Sequence, residues 1–172
     1  MPRLAALLLL ILTPALASAQ ARPDDSAAIE ACLRSAKDNP ERCIGTVYRP
    51  CADTGEGGTT AGMGVCAARE TAVWNETLEE NLIMLVNGPL GKTTAQPYNR
   101  PSENRRRTPV KGTDILRDMH QTWMFWRAKK CDTLAMQAEG GSLSRVLYGK
   151  CIYEETARQA LWLKALVADT TR

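Results

Sequence analysis

The sequence has a single histidine, His120, and none of the motifs that mark common catalytic or nucleotide-binding sites. Without a nucleophile elbow, a phosphate-binding loop or an HExxH pair, it offers no recognised catalytic centre. The absence of CxxC, together with the lack of a second histidine, argues against a zinc site. Asp118 lies two residues from His120 and would point elsewhere on a helix, so it cannot orient the imidazole. We therefore expect no enzyme, no cofactor and no metal.

The chain also lacks a strong excess of charge and a long apolar run. Its formal net charge is +3 over 172 residues, which does not require a nucleic-acid partner. The longest apolar run covers residues 4–12, well short of the roughly 20 residues that cross a bilayer. We predict a protein that does not span a membrane and does not bind nucleic acid.

The apolar run lies in a segment that is typical of a secretory signal. Arg3 precedes residues 4–12, and the Ala-Ser-Ala sequence of residues 17–19 fits the small-x-small cleavage pattern. Cleavage after Ala19 would leave one domain, residues 20–172, which we predict to be periplasmic or secreted from a bacterial cell.

Cysteine is well represented, with six residues that all follow this segment. An even number of cysteines in an exported domain indicates a disulfide framework, because oxidising compartments preserve such bonds. The cysteines form three neighbouring pairs: Cys32 with Cys43, Cys51 with Cys66, and Cys131 with Cys151. Six cysteines allow fifteen pairings, and an exchange of partners among the first four stays open.

The last pair can also be argued from geometry. Gly140 and Gly141 separate two helical patterns, and Cys131 and Cys151 are each ten residues from Gly141. Positions that are equidistant from the turn of an antiparallel helical hairpin face each other. The spacing therefore predicts a disulfide across a C-terminal hairpin.

Helical periodicity runs through most of the chain. It predicts short helices near residues 25–37 and 40–48, with Asp25 as the first N-cap, and a long helix near 61–86. A C-terminal pair follows near 113–139 and 142–168, capped by Thr113 and Ser142. The apolar face of the long helix is expected to consist of Val65, Ala72, Leu78, Leu82 and Leu85. The predicted fold is all-α: a disulfide-stapled helical bundle with a long helix and a C-terminal antiparallel helical hairpin.

Residues 88–112 break this pattern. They contain four prolines, three glycines and six basic residues against one acid, Glu103, and we predict a flexible loop. The run Arg105, Arg106 and Arg107 is a candidate binding site for an anionic partner, such as a phosphate-bearing surface of the cell envelope.

Aromatic residues are few, and most of them are expected in the core. Trp74, Trp123 and Trp126 recur on helical faces with other apolar residues, so we expect core packing rather than a ligand site. His120, three residues before Trp123, is expected to be a hydrogen-bonded structural histidine.

The C-terminal half carries residues with a characteristic spacing: His120-Gln121-Thr122-Trp123, Trp126-Arg127, Cys131, Gly140-Gly141-Ser142, Cys151 and Thr156. Upstream, Cys66, Trp74 and Leu78 complete the pattern. Residues 51–166 thereby resemble the lysozyme-inhibitor LprI-like N-terminal domain family. Its signature has glutamine where His120 stands and asparagine where Glu79 stands.

The resemblance implies an exported helical protein, in a family where some members inhibit lysozyme. Because many lysozymes are strongly basic, an inhibitor would need a local acidic patch. Glu70, Glu76, Glu79 and Glu80 of the long helix are the candidates, and the last three share one helical face. The predicted partner is a lysozyme-like protein. The alternative is an envelope scaffold or stress protein that binds an anionic surface through residues 105–107.

Overall fold

Helices supply nearly all of the regular structure. The computed structural model describes residues 21–95 and 109–171. The helices are α1 (Pro23–Ser35), α2 (Tyr48–Ala52), α3 (Thr60–Asn87), α4 (Pro89–Lys92), α5 (Gly112–Ala135) and α6 (Leu143–Thr170). Three short 3-10 turns, Pro40–Cys43, Gly55–Gly57 and Met136–Ala138, lie between them. The all-α prediction is confirmed. The predicted signal segment lies outside the described residues.

The two longest helices, α3 and α6, pack along each other and carry the core, and α5 packs against α6. Buried Trp74, Leu78 and Leu85 of α3 face small alanines on α6, among them Ala157 and Ala160. Alanine at these positions lets the two helix axes approach closely. None of the described helices is both long and apolar enough to cross a bilayer.

The predicted C-terminal hairpin is present. The backbone reverses through Glu139 and Gly140, which both adopt positive φ, and α5 and α6 then run antiparallel. Cys131 and Cys151 are bonded across this hairpin with their Cα atoms 5.4 Å apart. The Ser142 side chain forms no cap hydrogen bond, and α5 begins at Gly112, ahead of the predicted cap Thr113.

The first four cysteines are bonded as neighbours in the sequence. Cys32 is joined to Cys43 and Cys51 to Cys66, with Cα–Cα distances of 5.7 and 5.6 Å. Neighbour pairing, rather than an exchange of partners, is therefore the arrangement in the structure. The two bonds tie the small N-terminal elements to each other and to the first turns of α3.

The predicted helix over residues 40–48 is wrong. The segment forms only the turn Pro40–Cys43, and α2 begins at Tyr48 and runs through Pro50. Gly45, at φ +90°, interrupts any continuous helix. Pro50 is tolerated because it lies in the first turn of α2, where its missing N–H would have had no helical partner.

Asp25 is not a helix cap. It lies in the third position of α1, is buried, and forms a two-point ion pair with Arg69 of α3. The donor–acceptor distances are 2.7 and 3.0 Å. The bidentate geometry fixes α1 against α3.

Part of the 88–112 segment has regular structure. Gly88 is followed by helix α4, and strands β1 (Thr94–Ala95) and β2 (Val110–Lys111) pair antiparallel. A Cβ added to Gly112 would lie 2.1 Å from the carbonyl oxygen of Leu90, so α4 and the start of α5 are in close contact. Residues 96–108 lie outside the described residues.

Two predicted core positions are wrong. Val65 is 47% exposed and Trp126 is 49% exposed, whereas Ala72, Leu78 and Leu85 are buried as expected. The buried stripe of α3 passes through the neighbouring position 66, so Val65 is turned towards solvent. Trp126 lies outside the α5–α6 contact, with the Lys130 amine 4.9 Å from its ring.

Candidate functional site

A groove of about 640 Å³ lies between α3 and α6. Its floor is made of small residues, and larger polar and apolar side chains stand at its rim. The floor residues are Gly64, Ala67, Ala68, Thr71, Ala72 and Gly149. The rim residues are Asn75, Glu76, Glu79, Tyr148 and Ile152.

The groove follows from the spacing of small residues on α3. Positions 64, 67, 68, 71 and 72 recur at intervals of three and four, which places them on one side of a helix. A Cβ added to Gly149 of α6 would lie 3.1 Å from the Ala67 Cβ, so the two helices are in close contact there. At Gly64 an added Cβ would meet no atom within 4 Å. The groove is open at that end.

Two carboxylates stand at the rim of this groove. Glu76 and Glu79 are both exposed, and Glu76 Oε1 accepts a hydrogen bond of 3.0 Å from the Ala21 N–H. Glu79 forms no hydrogen bond or ion pair with any described residue. Glu80 is also exposed but does not line the groove. The structure thus brings Glu76 and Glu79 together at this site and leaves Glu80 outside it.

Glu70, the remaining acidic candidate, has a different role. Its side chain is fully buried and accepts hydrogen bonds from the backbone N–H groups of Gly45, Val47 and Tyr48 and from the Trp74 indole. Glu70 holds the turn before α2 against α3. It is a structural residue and cannot contact a partner.

Arg127 of α5 is partly buried beside the groove. Its Nη1 donates to Thr156 Oγ1 over 2.6 Å, one helical turn beyond Ile152, and its guanidinium carbon lies 4.6 Å from the centre of the Trp123 ring. Its Nε is buried and has no hydrogen-bond partner within residues 21–95 and 109–171. Burial lowers the Arg127 pKa, and the nearby Tyr148 hydroxyl acts in the opposite direction.

His120 interacts electrostatically with both Arg127 and Glu79. Its ring stacks on Trp123 with a centroid separation of 5.8 Å. Burial lowers the His120 pKa, the charge of Arg127 lowers it further, and the charge of Glu79 partly offsets both. His120 Nδ1 has no hydrogen-bond partner among the described residues, which contradicts the prediction of a hydrogen-bonded histidine for this atom.

The sequence profile of the family described as lysozyme inhibitor LprI matches residues 51–163. This chain belongs to the LprI family. The matched range contains α3, α5 and the first three quarters of α6, and it includes every residue that lines the groove. Searches of the curated proteins and of the solved structures return no significant match.

Sequence reasoning identified the acidic residues of the LprI groove but missed its other components. Tyr148 and Gly149 belong to α6 and reach the groove only through tertiary packing. The small residues of α3 could have been used to predict the groove wall, because glycine and alanine at spacings of three and four are typical of a close contact between helices. Arg105, Arg106 and Arg107 lie outside the described residues.

Replacing His120 by glutamine, the usual LprI-signature residue at this position, should reduce the loss of stability in acid. The folded protein favours the neutral imidazole, since the His120 pKa is lowered from 6.5. The stability that the neutral His120 imidazole contributes is therefore present above pH 6.5 and is lost as the pH falls through the lower folded-state pKa. We expect the free energy of unfolding to fall more in the wild type than in His120→Gln between pH 7.5 and pH 5.

Urea denaturation at both pH values measures this difference. The carboxylates titrate in both proteins, so their contribution cancels in the comparison. NMR titration of the single imidazole provides a direct check. A folded-state pKa at or above 6.5 would contradict the prediction.

Proposed function

We propose that this protein inhibits a lysozyme-like muramidase by direct protein–protein contact outside the cytoplasm. The observation that carries the proposal is the LprI family match, which covers the groove and the helices that form it. The protein acts by occupying the enzyme's surface, and none of its own residues takes part in a chemical step.

Two features of the structure support this proposal. The three disulfides are of the kind that persists in oxidising compartments, where muramidases act on the cell wall. The carboxylates of Glu76 and Glu79 lie at the rim of a groove, and a strongly basic enzyme would present complementary charge to them. Because the whole chain has a small positive net charge, electrostatic attraction to a basic enzyme would have to come from this local acidic surface.

A cell-lysis assay titrated with oxidised protein lacking residues 1–19 tests the proposal. We expect dose-dependent inhibition of a basic lysozyme at near-stoichiometric ratios. Inhibition should weaken as the ionic strength rises to about 0.15 M, because the screening length then falls to about 8 Å. Reduced and alkylated protein is the matched control and should not inhibit. Full lysis by several lysozyme types at excess oxidised protein would contradict the proposal.

The alternative partner, an anionic surface bound by Arg105, Arg106 and Arg107, gains no support. These residues lie outside the described part of the chain, and the family match points to a protein partner.

A further inference from the structure

We propose that the α3–α6 groove receives a lysine or arginine side chain of the partner enzyme. The aliphatic stem of that side chain would lie on the small-residue floor, and its cationic group would pair with Glu76 and Glu79. This inference rests on the proposed function and specifies which surface of the protein makes the contact.

The dimensions of the groove fit such an occupant. Its volume of about 640 Å³ falls within the range of about 300–1,000 Å³ that is common for small-ligand sites. That space accommodates a long side chain together with part of the backbone that carries it. A flat acidic surface would offer no such depth.

The chemistry of the lining favours a long cationic side chain over other occupants. Alanine and glycine of the floor offer apolar contact but no charge, which suits the methylene stem of lysine or arginine. At the rim, Glu76 and Glu79 supply two carboxylates, and Asn75, one helical turn before Glu79, supplies a further hydrogen-bonding group. An apolar side chain would cover the carboxylates without pairing them, and an acidic one would be repelled.

The partly buried Arg127 does not fill this role. The Arg127 guanidinium is held by Thr156 and by the Trp123 ring on the α5 side. No carboxylate lies within ion-pair distance of it among residues 21–95 and 109–171. Glu79, in turn, has no ion-pair partner in the same part of the chain. The carboxylate thus remains available to a cation from outside.

Asn75 offers a way to fill the groove beside the carboxylates. It lines the groove, is half-buried, and lies one helical turn before Glu79. Leucine there would cover the end of the groove that holds Glu76 and Glu79, and leucine is a better helix former than asparagine. Asn75→Leu should therefore keep the fold while it blocks the site.

The first test measures inhibition of the lysozyme that the wild-type protein inhibits best. We expect Asn75→Leu and Glu79→Gln each to weaken inhibition by about tenfold or more, the size of effect seen when a central contact is lost. The matched controls are Ala165→Leu, an exposed leucine elsewhere on α6, and Glu80→Gln, the same charge change outside the groove. Both controls should stay within about threefold of the wild type. Thermal unfolding of each variant shows that it is folded.

The second test needs no enzyme. N-acetyl-arginine amide is titrated into ¹⁵N-labelled protein, with N-acetyl-norleucine amide as the uncharged control. We expect saturable shifts of the Glu76 and Glu79 amide signals with the arginine probe alone, and their loss in Glu79→Gln.

The two tests separate the inference from the proposed function. Arginine-probe binding in the groove of a protein that inhibits no lysozyme would support the cation site and overturn the proposed function. Undiminished inhibition by Asn75→Leu and Glu79→Gln, with no probe binding, would overturn the cation site and leave the proposed function standing.

Discussion

Replacement of Glu70 by glutamine is expected to lower the free energy of unfolding by about 3–5 kcal/mol, the range seen when one partner of a buried charged group is lost. Glu70 is completely buried and its two oxygens accept four N–H groups. Oε2 takes the Val47 and Tyr48 amides at 3.0 and 2.7 Å. Oε1 takes the Gly45 amide and the Trp74 indole.

Glutamine has nearly the same shape but replaces one oxygen with a donor. Whichever way the amide turns, its NH₂ group faces two N–H donors, and those donors lose their acceptor in a site without solvent. The remaining two hydrogen bonds also lose their charge-assisted strength. The damage should be greatest in the turn before α2, where the carboxylate accepts three backbone N–H groups.

Urea denaturation of the oxidised proteins measures the loss. Glu80→Gln is the matched control, because the same substitution on the exposed side of α3 should change stability by less than about 0.5 kcal/mol. Hydrogen exchange should show the earliest loss of protection at the Val47 and Tyr48 amides. A Glu70→Gln variant within 1 kcal/mol of the wild type would show that the carboxylate network contributes little.

Removal of the Cys131–Cys151 disulfide should cost about 3 kcal/mol. The bond closes a loop with a sequence separation of 20, and the chain-entropy relation gives a loss of this size. Both cysteines are buried, so the double variant Cys131→Ala, Cys151→Ala keeps apolar side chains at these positions. The main effect is then on the unfolded chain, which gains conformational freedom.

Equilibrium unfolding without reductant gives the size of the effect. The variant retains the other two disulfides, so complete reduction of the wild type provides the lower limit of stability. Dithiothreitol should destabilise the variant less than the wild type, because only two bonds remain to be broken. A double variant as stable as the wild type would mean that packing alone holds the hairpin closed.

Features that depend on local spacing could be predicted from the sequence. Helical periodicity located α3, and the symmetric placement of Cys131 and Cys151 about Gly141 predicted the hairpin and its bond. The side of α3 that carries Glu76 and Glu79 also followed from spacing, since positions three apart lie on one face. Glu80, one residue further along the helix, points away from the groove.

Features that depend on distant partners could not be predicted. The three backbone donors to Glu70 lie 22 to 25 residues upstream, and no periodicity connects them to it. The same contacts explain why residues 40–48 are not a helix. The backbone N–H groups after Cys43 bind the carboxylate, and Gly45 takes a conformation that a helix does not allow. Tertiary contacts there outweigh the local preference for helix.

The three disulfides close separate stretches of chain that neither overlap nor enclose one another. Cys32 is bonded to Cys43, Cys51 to Cys66, and Cys131 to Cys151, so each bond joins cysteines that are next to each other in the series of six. If a chain with this pattern enters an oxidising space amino end first, the correct partner of the first, third and fifth cysteine is always the next one to enter. In that case the order of entry favours the native pairing, and no later exchange of disulfides is required.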